Sequence, residues 1–180
     1  KCWGHNWYGQ LGDGTWTDRH TPVDVAGLTS GVNTITAGDN HTCVQTMTGG
    51  VKCWGSNGGG ELGDGTNTYR SRPADVVGLP NGVSAITAGG FHTCALTTSG
   101  GVKCWGLNAY GRLGDGTATN RTTPVDAIGL QSSVSAITVG RYHSCVLTIA
   151  GGVKCWGNNW DGQLGDGTRL DRYTPVNVAG

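Results

Sequence analysis

Histidine and cysteine recur along this 180-residue chain at spacings suited to metal or disulfide chemistry. His41-Thr42-Cys43, His92-Thr93-Cys94 and His143-Ser144-Cys145 are each followed, ten positions beyond the cysteine, by Cys53, Cys104 or Cys155. Imidazole and thiolate are zinc ligands, but each set supplies three donors and no fourth. A Gly-Gly turn lies between the paired cysteines, and a hairpin with its tip near Thr48 brings Cys43 opposite Cys53, within reach of a cross-strand bridge. We therefore expect three disulfides, Cys43–Cys53, Cys94–Cys104 and Cys145–Cys155, and no metal. Cys2 is left unpaired, because its partner would stand ten places before it, ahead of residue 1. Cysteines paired this regularly point to an oxidising compartment, outside the cell or on its surface.

Leu11-Gly12-Asp13-Gly14-Thr15 returns at Leu62, Leu113 and Leu164. A phosphate loop needs Lys-Ser/Thr after its last glycine and then a helix, and a calcium loop needs alternating oxygen ligands; neither is present. Asp13, Asp64, Asp115 and Asp166 are therefore expected to hold turns, hydrogen-bonding nearby backbone N–H groups while the glycines take positive φ. Arg19, Arg70, Arg121 and Arg172 are placed to pair with them. His41, His92 and His143 have no accompanying nucleophile or carboxylate of the kind a general base activates, and repetition in every unit argues against one active centre. Structural hydrogen bonding is the expectation, with no catalytic set and no cofactor.

What positions these residues is a repeat of 51, without insertion. Cys2-Trp3-Gly4 returns from Cys53, Cys104 and Cys155, and Pro22 returns as Pro73, Pro124 and Pro175. Glycine reaches 34 of 180 residues and charged residues only 13%, against usual values of about 7% and 25%, which excludes a helical bundle. Twelve basic residues balance twelve acidic ones, leaving no field to collect phosphates, so nucleic acid is excluded as the expected partner. No apolar run is long enough to span a bilayer, and no signal peptide is read at Lys1. In one unit, Val83 to Ala88, Thr93 to Thr97, Val102 to Trp105 and Pro73 to Val77 read as strands between turns. A four-stranded antiparallel meander exposes both faces, so successive meanders must stack, which leads to an all-β propeller. Trp3, Trp54, Trp105 and Trp156, all at one phase, are expected to pack between the blades.

The unit Gly-Val-x-x-Ile-Thr-x-Gly-x-x-His-Thr-Cys, followed by Gly-Gly-Val-Lys-Cys-Trp-Gly-x-Asn-x-x-Gly-x-Leu-Gly-Asp-Gly-Thr, resembles the regulator of chromosome condensation repeat in its cysteine-bearing bacterial form. The resemblance covers the whole chain and implies a ring of seven blades. With the Val-x-x-Ile strand first, residues 28–78, 79–129 and 130–180 are blades and residues 1–27 are half of another. The chain thus reads as about three and a half blades of a longer propeller, with closure by another copy the weaker option.

In an antiparallel meander the loops after the first and third strands emerge on one face. That face carries the residues that change between units: Asp39-Asn40, Phe91 and Arg141-Tyr142 in the first loop, and Trp7-Tyr8, Tyr110 and Trp160-Asp161 in the third, with Trp16, Tyr69 and Tyr173 nearby. The opposite face repeats short Gly-Gly turns. An invariant frame with one variable face rich in Trp, Tyr and Arg is how a scaffold presents a binding surface. The expected function is non-enzymatic recognition of a protein or glycan outside the cell, similar in kind to propeller-type β-lactamase inhibitory proteins. Guanine-nucleotide exchange on a small GTPase follows the family name, but it fits poorly with uninterrupted units and with disulfides. A purely structural surface protein is the third class. An ultraviolet-B photoreceptor of the plant type would need Trp and Arg in the Gly-x-x-His loops, where Asp39, Asn40 and Gly90 stand and Arg141 occupies the expected Trp position.

Overall fold

The computed structural model describes residues 1–179. Its strands fall into one two-stranded and three four-stranded antiparallel sheets. The first sheet pairs β1 (Cys2–Gly4) with β2 (Arg19–Val23); the next holds β3 (Val32–Ala37), β4 (His41–Thr46), β5 (Val51–Gly55) and β6 (Arg70–Asp75) in chain order. The third holds β7 (Val83–Ala88), β8 (His92–Thr97), β9 (Val102–Gly106) and β10 (Arg121–Asp126), and the last β11 (Val134–Val139), β12 (His143–Thr148), β13 (Val153–Gly157) and β14 (Arg172–Asn177). This is a β-propeller arc of about three and a half blades.

Local chemistry sets each meander. Between β4 and β5, Gly49 takes φ +79°, and the Thr46 hydroxyl accepts the Gly50 N–H at 3.0 Å, closing a tight hairpin that puts Cys43 opposite Cys53. The same turn recurs around Thr97 and Thr148. Disulfides join Cys43 to Cys53, Cys94 to Cys104 and Cys145 to Cys155, and Cys2 is the free thiol. The fourth strand lies earlier than Pro73 to Val77. It runs Arg70–Asp75, because Gly55, at φ +109°, bulges to meet Arg70, while Val77 leaves the ladder to donate to the Gly63 carbonyl at 2.9 Å.

Tryptophan locks the seams between sheets. Trp54, Trp105 and Trp156 are fully buried, and each indole N–H donates at 2.9 Å to a carbonyl of the preceding unit, those of Gln10, Glu61 and Arg112. The glycine two residues on must lack a side chain: a Cβ on Gly63 would lie 2.7 Å from the Trp105 indole nitrogen. Trp3 departs from its repeats. It is 62% exposed, and no indole bond like those of Trp54, Trp105 and Trp156 holds it among the described residues. At the other flank Leu147 and Val153 are 43% and 42% exposed, whereas Leu96 and Val102, their counterparts one unit earlier, are 6% and 0%. The inner strands β3, β7 and β11 converge on an open depression of about 250 Å³ whose lining includes Asp39, Gly90 and Arg141.

Candidate functional site

The loops that carry the variable residues hang from an invariant polar frame. In each unit a buried asparagine fastens the loop after the third strand: the Asn108 Nδ2 group donates to the Asp115 carboxylate at 3.0 Å and to the Thr117 and Thr119 carbonyls, while its Oδ1 accepts the Leu113 N–H. Asn6, Asn57 and Asn159 make the same set. Asp115 also accepts the Thr117 N–H and hydroxyl and, on its other oxygen, the Arg121 guanidinium at 2.8 Å. Burial works to raise that carboxyl's pKa, and the bonds from Thr117 and Arg121 outweigh it and hold it below the ordinary value. Asp13, Asp64 and Asp166 are engaged likewise with Arg19, Arg70 and Arg172. The carboxylates are thus occupied from within. Among the described residues no group of three or more His, Cys, Asp or Glu side chains is arranged to hold a metal.

The histidines do keep fixed company, but with the next unit. His41 Nε2 lies 2.9 Å from the Thr93 hydroxyl, and His92 Nε2 lies 3.0 Å from that of Ser144. Thr93 Oγ1 already donates to the Glu61 carbonyl and Ser144 Oγ to that of Arg112, so each imidazole is the donor and carries its proton on Nε2. The hydroxyls are consumed as bridges between blades, not activated as nucleophiles. The Nδ1 atoms of His41 and His92 are buried without a partner.

The loops after the first and third strands meet, as the Ser56, Leu107 and Asn158 N–H groups donate to the carbonyls of Asn40, Phe91 and Tyr142. The variable side chains gather there in two clusters. At the first seam Tyr8 meets Tyr69 edge-on at 5.7 Å, and His5 meets Trp7 at 5.0 Å. At the third seam Tyr110 packs edge-on against Tyr142 and Trp160 at 6.3 and 5.3 Å. Arg141 lies over Tyr142 and Phe91 and pairs with Asp39, two blades away, at 3.0 Å. Trp16 stands apart and exposed. Asn40 contributes its carbonyl, the Asp161 N–H donates to Gln163, and the Tyr173 backbone packs on Gly111. Tyr110 has φ +66°, a conformation that costs a non-glycine residue about 1–2 kcal/mol and that Gly59, its counterpart one unit earlier, does not adopt. Sequence reasoning missed Arg112, whose guanidinium lies beneath Tyr110 and Tyr142. Its signal was available: the position reads Gln10, Glu61, Arg112, Gln163 inside an otherwise constant loop.

The sequence model described as the regulator of chromosome condensation (RCC1) repeat matches residues 2–45, 48–96 and 99–147, and a second RCC1-repeat model matches residues 32–61, 83–112 and 134–163. The chain belongs to the RCC1-repeat family. It is 34% identical over 184 residues to the human probable E3 ubiquitin-protein ligase HERC4, covering 99% of this chain and 17% of that protein. It is 32% identical over 177 residues to the ultraviolet-B receptor UVR8 of Arabidopsis thaliana, covering 96% of this chain and 40% of that one. Among solved structures, human WBSCR16 superposes with a TM-score of 0.84 at 27% identity, over 99% of this chain and 47% of that one. Yeast RCC1 (Prp20) bound to Kap60 gives 0.82 at 21% identity, over 99% and 44%, which shows the shared fold. The chain thus spans less than half the length of each of these relatives.

The RCC1-repeat seams impose a pH dependence. Burial pushes the His41 pKa down to about 4, and burial, then the nearby Arg112 charge, pushes that of His92 well below its usual value. An unfolded histidine binds its proton near pH 6.5, so stability is whole above that value and is lost as pH falls toward 4. His41 alone should cost about 2 kcal/mol at pH 5. Unfolding midpoints at pH 7.5 and pH 5 check this: a midpoint that did not fall would mean the folded imidazoles take up protons freely.

Proposed function

We propose that this chain is a non-enzymatic protein-recognition scaffold working in an oxidising setting, outside the cell or on its surface, through the face formed by the loops after the first and third strands. One observation carries the reading. Side chains that differ from unit to unit, Tyr8 with Tyr69 and Tyr110 with Tyr142 and Trp160, are gathered into contact over a frame that does not differ. Large aromatic and arginine side chains in clusters are the usual source of interface energy. Three disulfides support the oxidising setting. Guanine-nucleotide exchange is not proposed, because the solved structures that suggest it are under 25% identical and speak for fold alone.

The test is a binding comparison with a partner protein captured from secreted or surface material. Alanine at Phe91, Tyr142 and Trp160 together should weaken it at least about tenfold, while changes at Thr48 and Ser99 on the opposite face should leave it intact. Unchanged binding after the triple change would end the reading, and displacement by a free oligosaccharide would move it from protein to glycan.

A further inference from the structure

The position that reads Gln10, Glu61, Arg112, Gln163 changes the charge of each seam while keeping one local task. Gln10, Glu61 and Gln163 fold back to accept an N–H of their own loop, from Tyr8, Gly59 and Asp161. Arg112 folds back with opposite polarity, its Nε donating to the Ala109 carbonyl at 2.9 Å. The guanidinium is thereby buried, with the residue 1% exposed. Its other acceptor is the Arg141 carbonyl at 3.4 Å, and no ion pair among the described residues includes it. This is a desolvated cation that makes no ion-pair contact, though the buried Glu61 carboxylate one unit earlier acts on its charge, and it lies 5.7 and 5.2 Å from the Tyr110 and Tyr142 ring centres.

Arg141 adds a second, exposed cation 5.3 Å from the Tyr142 ring centre, and its one carboxylate partner, Asp39, is itself partly exposed and exchangeable. The hydroxyls of Tyr110 and Tyr142 and the indole N–H of Trp160 donate to no protein group among the described residues. Cations and donors whose one contacting carboxylate is the exchangeable Asp39 suit a ligand that only accepts. A carboxylate does, whereas a neutral sugar hydroxyl also seeks an acceptor. Nucleic acid takes a row of cations, and this seam holds two.

We propose that the third seam binds an acidic segment of the protein partner: a Glu or Asp side chain displaces Asp39 from Arg141, and the buried Arg112 charge favours the anion from below. This rests on the recognition-face reading and specifies its chemistry.

Fluorescence polarisation of a dye-labelled poly-glutamate peptide with the whole chain tests it. Saturable binding is expected, weakening with added salt and absent for a poly-glutamine peptide of equal length. Arg112→Gln and Arg141→Gln should each lower affinity at least about fivefold, and Asp39→Asn should raise it. Arg112→Gln installs the residue that two sister loops carry, so the fold is retained, and an unchanged near-ultraviolet circular dichroism spectrum verifies this. Equal binding of both peptides, or affinity indifferent to both arginine changes, overturns the seam assignment while the captured partner's dependence on Phe91, Tyr142 and Trp160 leaves the face reading standing. If that dependence is also missing, the face reading itself has failed.

Discussion

Replacing Asn108 by Leu should cost about 4 kcal/mol or more and disorder the loop that carries Tyr110, although no ligand is touched. Asn108 is fully buried and serves four backbone and side-chain groups at once. Leucine fills similar volume but leaves the Leu113 N–H, the Thr117 and Thr119 carbonyls and one bond to Asp115 unmet. A buried polar group without a partner costs about 1–3 kcal/mol, and the buried Leu113 N–H with the half-buried Thr117 carbonyl and Asp115 carboxylate carry most of it, since Thr119 is exposed and its carbonyl can turn to water. Urea unfolding of the variant measures the loss. A cost under about 1 kcal/mol would mean that water takes over the amide's bonds.

Full reduction of the disulfides should be the other large effect, and it should proceed in order. Each bridge closes a hairpin of separation 10, for which chain entropy assigns about 2–3 kcal/mol, so losing all three removes roughly 6–9 kcal/mol, comparable with a whole domain's stability. Cys43, Cys53, Cys94 and Cys104 are completely buried between sheets, whereas Cys145 lies half-buried on the open flank. Thiol titration should therefore find Cys2 reactive at once, the Cys145–Cys155 pair next under mild reductant, and the other four sulfurs only as the protein unfolds. Simultaneous release of all six bridged sulfurs would show that opening is global and that the flank gives no early access.

Much of the architecture was legible because its causes are local. Period, hairpin turns and cysteine spacing lie within single units, and the Thr46–Gly50 turn with its cross-strand cysteines needs no knowledge of neighbours. Interactions between units were less legible. The His41–Thr93 bond joins residues 52 apart, and the Trp105–Glu61 bond residues 44 apart. A repeat reveals that such residues are equivalent without revealing which faces meet. Trp3 illustrates this: it is identical in sequence to Trp105 yet exposed, because burial at that phase depends on the unit before it. The fourth strand begins ahead of Pro73 because the Gly55 bulge brings Arg70 into the pairing, a shift that the residue pattern of 73–77 does not show. Arg112 escaped notice because a varying residue inside a constant motif reads as drift until its guanidinium is seen under two rings.

The loop position held by Arg112 bears on how such arrays diversify. Its backbone carbonyl receives the Trp156 indole and the Ser144 hydroxyl, and neither bond depends on which side chain the residue bears. Duplication of a unit followed by a single codon change there can therefore invert the polarity of one groove without endangering assembly. Ligand preference in these arrays is thus free to evolve groove by groove, on a background that selection for folding keeps still.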